Sequence, residues 1–251
     1  MLIFKDLNIG NMIIEVCANS LQSAMNAQKG GADRIELCVE LGVGGITPSP
    51  GLMKSIKEQI SIPVYVLIRP RSGDFNYSKS EFQIVKNDVQ FCRDMGFNGI
   101  VSGVLREDFQ VDIKRTKELV DLAKGMEFTF HRAFDWVLDP FLALEQLEGL
   151  GVANILTSGQ ETSALKGLPL LEKLQHKAST CTILPGGGIR PENVMEFKKK
   201  EFKAVHLSGS RFYKTLDASP RISMNSPAFF KEESVAVTDE NIIKVISGLV
   251  K

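Results

Sequence analysis

The sequence lacks the features that would place it in several large functional classes. It has no run of 18 apolar residues, so it offers no segment that would cross a bilayer as a helix. It has no excess of either charge. Thirty basic residues balance thirty acidic ones, which argues against a nucleic acid, an anionic membrane or a polyanion as partner. Cysteine is scarce: four in 251 residues do not make a disulfide framework, and they fit a reduced, cytoplasmic protein. Residues 1–11 lack the charged-then-apolar layout of a signal peptide and read as an N-terminal extension ahead of the domain proper. A nucleophile elbow, a P-loop and a dinucleotide-binding fingerprint are all missing.

What the chain does have is a repeated unit. Short β-branched or aliphatic runs begin near Ile13, Arg34, Val64, Gly99, Glu127, Asn154, Thr180 and Ala204, at intervals of 21 to 35 residues, the length of a strand–loop–helix unit. Helical patterns lie between them. Ser20 starts one that Gly30 and Gly31 close, and Ser80 caps another with Ile84, Val85, Val89 and Cys92 at helical spacing. Others are expected at 113–124, 140–150, 163–174, 191–200 and 238–250, with Pro140 and Pro191 in first turns, where proline is tolerated. Eight strands alternating with helices over residues 12–251 predict a single-domain α/β fold, the (β/α)8 TIM barrel. An open doubly wound sheet would want a glycine-rich turn after its first strand, and Val16-Cys17-Ala18-Asn19 is not one. Residues 209–237, with Pro220 and Pro227, read as a long irregular loop before the last helix, of the kind used as a lid or subunit contact.

In such a barrel the chemistry collects at the carboxyl ends of the strands. The densest stretch is Glu127 to Asp135. It starts as a strand, with Thr129 and His131 on one face and Phe128 and Phe130 on the other, then delivers His131, Arg132 and Asp135 together. The other strand ends give Glu15 and Cys17, Glu36 and Cys38, Arg69 and Arg71, Ser102, Ser158, Gly186 to Gly188, and His206 with Ser208.

The first two strands carry the same Glu-x-Cys pattern. Neighbouring strands lie about 4.8 Å apart, so Cys17 and Cys38 are candidate metal ligands at the barrel mouth. Two soft thiolates at that spacing suit Cu(I), although free cysteines also serve as small core residues. Zinc would want more ligands, and His131 and His206 fall on more distant strands. Glu15 and Glu36 need partners inside a barrel, and Arg69 on the next strand is the expected one. Either these groups form a salt-bridge layer that plugs the barrel, or they are catalytic. In the catalytic reading Arg69 orients an anionic substrate, and Glu36, His131 or His206 moves a proton. Gly186, Gly187 and Gly188, joined by Ser208 and Arg71, are candidate donors to a phosphate or other anion; alternatively the glycines only let the chain turn tightly.

Several longer runs then match one family in order. Gly31-Ala-Asp-Arg-Ile-Glu-Leu-Cys38, Gly44-Gly-Ile-Thr-Pro-Ser49, Ile68-Arg-Pro-Arg-Ser-Gly-Asp-Phe75, Thr129-Phe-His-Arg-Ala-Phe-Asp135, Leu156-Thr-Ser-Gly159 and Gly186-Gly-Gly188 together closely resemble the CutC family, called copper homeostasis proteins. The likeness runs from about Met12 into Ser210. It implies a (β/α)8 barrel, a cytoplasmic location, a homo-oligomer (dimer or tetramer), and Cu(I) bound at the cysteines corresponding to Cys17 and Cys38. The mouth residues themselves support an alternative, an isomerase- or lyase-type barrel enzyme acting on a small phosphorylated or anionic metabolite.

Overall fold

The computed structural model describes residues 11–218, 220–222, 224 and 232–251. Eight strands run parallel: β1 (Ile13–Ala18), β2 (Arg34–Leu37), β3 (Val64–Leu67), β4 (Gly99–Ser102), β5 (Glu127–Phe130), β6 (Asn154–Thr157), β7 (Thr182–Pro185) and β8 (Ala204–Leu207). Their order is β7-β6-β5-β4-β3-β2-β1-β8, and a parallel bridge between Gly186 and His206 joins the two ends. The chain is therefore a (β/α)8 barrel. Between and after the strands lie α1 (Leu21–Gly30), α2 (Pro50–Gln59), α3 (Lys79–Asp94), α4 (Ile113–Leu122), α5 (Pro140–Gly149), α6 (Leu168–Lys177), α7 (Val194–Lys199) and α8 (Glu240–Val250). Among the described residues no helix is long and apolar enough to cross a membrane. Of the opening segment 1–11, only Asn11 falls within the described residues.

Strands β2, β3, β4, β6 and β8 are buried along their whole length. One face looks into the barrel and the other lies under helices, so a strand reads as a continuous run rather than an alternation. The outer layer packs Ile14, Val16, Ile35, Val66, Ile100 and Phe130 against helix residues such as Ile56, Val85, Leu119 and Ile246. Among the described residues, the interior holds two small apolar clusters, one of Cys17, Cys38, Tyr65, Leu67 and Val101, the other of Leu156, Leu184 and Ala204.

A polar layer occupies much of the rest. Tyr65 donates to Glu127 at 2.6 Å, and Asn154 donates to Glu127 and Thr129 at 3.3 Å each. Glu15 pairs with Arg34, whose guanidinium also lies 4.7 Å over the Tyr65 ring. The partner expected for Glu15, Arg69, is elsewhere. The β1–β2 register sets Glu15 directly beside Arg34, and period two turns both inward, so the neighbouring strand supplies the cation before the third strand can.

Helix boundaries shift where a competing cap wins. α3 begins after Ser78, not Ser80, because Ser78 and Glu81 form a reciprocal capping box and Arg71 holds the same glutamate at 2.5 Å. α6 starts at Leu168 rather than 163, and α7 at Val194 rather than 191, since the Asn193 side chain accepts from the Arg190 N–H and keeps Pro191 in a turn. α1 runs as expected from its Ser20 cap to Gly31, which takes the left-handed φ of +94°. The segment 209–237 is not wholly irregular. Its ends pair as an antiparallel ribbon, β9 (Ser210–Lys214) with β10 (Ser234–Thr238), which Ser23 and Asn26 of α1, and Asn19 just before its cap, anchor through hydrogen bonds.

Two stability predictions follow from these contacts. Arg34→Met strands the Glu15 carboxylate, which has no solvent exposure, and is expected to cost about 3–5 kcal/mol in urea unfolding. Adding Glu15→Gln should recover part of that loss. The second concerns Glu148, near the end of α5. It accepts the N–H groups of Ser179 and Thr180 at 2.7 Å and of Cys181 at 3.0 Å, fastening the turn before β7. Burial opposes its charge, but these donors prevail and bring its pKa down from 4.5 to about 2. The contribution is therefore complete above the unfolded value and fades as pH falls toward 2. Glu148→Gln should lose about 1 kcal/mol at pH 7, since water screens a half-exposed carboxylate. The gap to wild type in a pH series of thermal melts should begin to narrow below about pH 4.5 and close near pH 2.

Candidate metal centre

Closing the ring brings β8 next to β1, and this decides the site. The register pairs Glu15 with His206 on one side of β1 and Cys17 with Glu36 on the other. Cys17, Glu36 and His206 consequently converge: a sulfur, a carboxylate oxygen and an imidazole nitrogen lie within 4.8 Å of one another. The three residues are buried, at 8, 5 and 8% exposure. His206 Nδ1 meets Glu15 Oε1 at 2.7 Å, and its Nε2 lies 3.6 Å from Glu36 Oε2. A Nδ1 anchored on a carboxylate, with Nε2 turned toward Cys17 and Glu36, is the carboxylate–histidine arrangement that supports a metal ligand.

The electrostatics follow from crowding. Burial pushes the Glu36 carboxyl up to about 7, with the Glu15 charge adding to the rise and His206 opposing it. Burial works against a charge on His206, but Cys17, Glu36 and Glu15 outweigh it and hold its pKa well above 6.5. Burial likewise opposes ionisation of Glu15, yet Arg34 and His206 prevail and its pKa falls below the ordinary value. The group thus holds a proton on His206 where a metal cation would sit. Ligands about 2.0–2.3 Å from one ion stand about 3.5–4 Å apart when trigonal, so slight inward rotation of three side chains would close the set. A thiolate and an imidazole are donors that Cu(I) and zinc both accept.

His206 was expected on a distant strand. Counting strands along the chain hides the fact that the eighth touches the first. Cys38 lies in the same apolar cluster as Cys17, but its sulfur faces the Ala18 carbonyl at 3.9 Å and stands outside the three-residue group. Burial, then the neighbouring Cys17 and Glu36, raise its pKa well above the usual thiol value.

The remaining candidates divide between two other places. Arg69 donates to the carbonyls of Val43 (2.7 Å), Gly45 (3.0 Å) and Gly73 (2.8 Å), fixing the loops after β2 and β3. His131 caps the short 3-10 turn Arg132–Trp136, its Nδ1 accepting from the Ala133 N–H at 3.2 Å. Burial and the Arg69 charge lower its pKa to about 3, which leaves a neutral ring of little strength as a base. Arg71 is not at the glycine loop. It is bound to Glu81 and Asp74 and stacks on Tyr77.

The cation beside the glycines is Arg132: a Cβ on Gly187 would lie 3.7 Å from its guanidinium carbon. Arg132 pairs with Asp135 at 2.7 Å, and Asp135 also accepts from Thr157 and from the Ser158 backbone and side chain. Gly186 closes the barrel against His206, while Gly188 gives its carbonyl to Asn193. Ser208 bonds Ser210 at 3.1 Å. The helix expected to open onto this loop starts three residues beyond Pro191, with its N-cap Asn193 bonded to the Gly188 carbonyl.

Known proteins resemble this chain in sequence and in fold. The model of the CutC family matches residues 12–211. A CutC family protein of Photorhabdus laumondii is 43% identical over 238 residues, covering 94% of this chain and 96% of the relative. The human copper homeostasis protein cutC homolog is 39% identical over 248 residues, covering 95% and 89%. The crystal structure of the CutC protein from Streptococcus agalactiae superposes with a TM-score of 0.74 at 29% identity, covering 78% of this chain and 98% of that one. Likeness of this extent in sequence and fold has one reading: the chain belongs to the CutC family.

Proposed function

We propose that this protein binds Cu(I) as cargo at the barrel mouth and serves copper homeostasis in the cytosol. The observation that carries the reading is the convergence of Cys17, Glu36 and His206, with the His206 Nδ1 held by Glu15 and its Nε2 turned into the group. Cys17 and His206 supply the principal donors, Glu36 a weaker third, and Cys38 a second thiol reached by rotating away from the Ala18 carbonyl. All four cysteines are free, which suits a reducing compartment. The family relationship supports the copper assignment, since the human relative is named for copper homeostasis. A homo-oligomer is the assembly we assign to it.

The test is an anaerobic Cu(I) titration against a competing chelator. One ion per chain is expected. Cys17→Ser and His206→Gln should each weaken binding by more than about 100-fold, because even groups behind the ligands are worth about 10- to 100-fold. Glu15→Gln should fall within that second range, and Cys38→Ser should have the smallest effect. Stoichiometric binding that survives Cys17→Ser would sink the proposal. Loss in Cys38→Ser equal to that in Cys17→Ser, with His206→Gln unaffected, would move the site to a two-thiolate pair.

A further inference from the structure

The mouth has a second wall that the metal centre leaves unused, formed by the ends of β3 and β5. Arg69 is 6% exposed and forms no ion pair among the described residues. Its two terminal nitrogens are satisfied by three backbone carbonyls, but its Nε has no acceptor. The nearest acid that acts on it, Asp74, is largely exposed and already engaged by Arg71 at 3.1 Å. His131, 4% exposed, is in the same condition. Its Nδ1 accepts from Ala133, so the proton of the neutral ring is on Nε2, and that atom is buried without a partner. The Tyr77 hydroxyl, also buried without a well-formed hydrogen bond, lies close enough to Arg69 to act on it through a side-chain contact, but it brings no formal charge to offset the guanidinium.

Both Arg69 and His131 lie against one ring. Phe75 is 4.7 Å from the His131 ring and 5.1 Å from the Arg69 guanidinium carbon. Its other neighbour is Trp136, edge-on at 4.9 Å and 45% exposed, with Phe109 6.4 Å beyond it. Gly103 makes room for the arrangement: a Cβ there would come 2.7 Å from His131 Nδ1. Buried polar groups are hydrogen-bonded and buried charges are paired, so an uncompensated guanidinium beside an unsatisfied imidazole N–H marks the place of an absent partner. That partner must carry negative charge and accept hydrogen bonds.

We propose that Arg69 and His131 form an oxyanion site, separate from the metal centre, that binds the carboxylate or phosphate group of a small metabolite beside the Phe75–Trp136 rim. Arg69 supplies the charge and the Nε–H. His131 supplies a fixed neutral N–H and takes no proton. Two walls of one mouth then bind opposite charges, the cation on β1, β2 and β8 and the anion on β3 and β5.

Trp136 is the only tryptophan in the chain, so its fluorescence reports on this rim. The experiment titrates chelator-treated full-length protein with acetate, pyruvate and inorganic phosphate, using chloride at matched ionic strength as control. A saturable change with an oxyanion and none with chloride is expected; which probes saturate tells a carboxylate ligand from a phosphate one. His131→Asn keeps an acceptor for the Ala133 N–H but removes Nε2–H, and should raise the dissociation constant about tenfold, the worth of one hydrogen bond to a charged group. Arg69→Lys should do the same or more. Because Arg69 also holds three carbonyls, His131→Asn, checked for folding by its thermal melt, is the deciding variant. In wild type, the His131 Nε2–H resonance should shift on saturation. Absence of saturation with every probe, or an unchanged constant in folded His131→Asn, overturns the proposal.

Discussion

A carboxylate with no access to water must be ionised by its neighbours, and in this barrel that carboxylate is Glu15. Arg34 reaches it from β2 and His206 from β8, so the charge is shared across the seam where the barrel closes. Removing either cation leaves an uncompensated charge inside the protein, far costlier than losing one exposed pair. The same contact orients the imidazole. With Nδ1 fixed, Nε2 has one direction to face, and that direction contains Cys17 and Glu36. The stability of the interior and the geometry of the candidate site therefore rest on one side chain.

The two walls of the mouth differ in how they treat charge. On β1, β2 and β8 acids and a thiol outnumber cations and raise the pKa of the histidine among them. On β3 and β5 an arginine without an acid depresses that of its histidine to about 3. Two buried histidines in one barrel are thus driven in opposite directions by their neighbours. Burial alone would lower both, so the difference comes from specific partners.

Much of this was legible in the sequence. The spacing of the β-branched runs dictated eight parallel strands, and strand-end reading brought forward Cys17, Glu36, Arg69, His131 and His206, all of which are buried. What was missed came from closure and register. Arg34 opens its strand at an inward position two residues before Glu36, so period two could have flagged it, but only the β1–β2 register shows that it reaches Glu15. His206 was set apart from Cys17 because a linear chain has two ends and a barrel has none. Arg71 and Arg132 exchanged places for a related reason: loops after strands carry side chains to destinations that periodicity does not encode. Arg71 was captured by Glu81, itself the partner of the Ser78 cap.

Charge conservation argues further for a monovalent cargo. The metal-free group carries a proton on His206, placed between Glu15 and Glu36. In the proposed site, a Cu(I) ion that replaces that proton leaves the charge of the buried cluster unchanged as long as Cys17 binds without releasing a proton of its own. A divalent ion adds one positive charge. Neutralising it requires a second proton to leave, and Glu36, with its pKa near 7, is the group poised to release one. Both ions fit the donor types, but the divalent ion does so only with Glu36 as an ionised ligand, while the monovalent ion needs Cys17 and His206 alone.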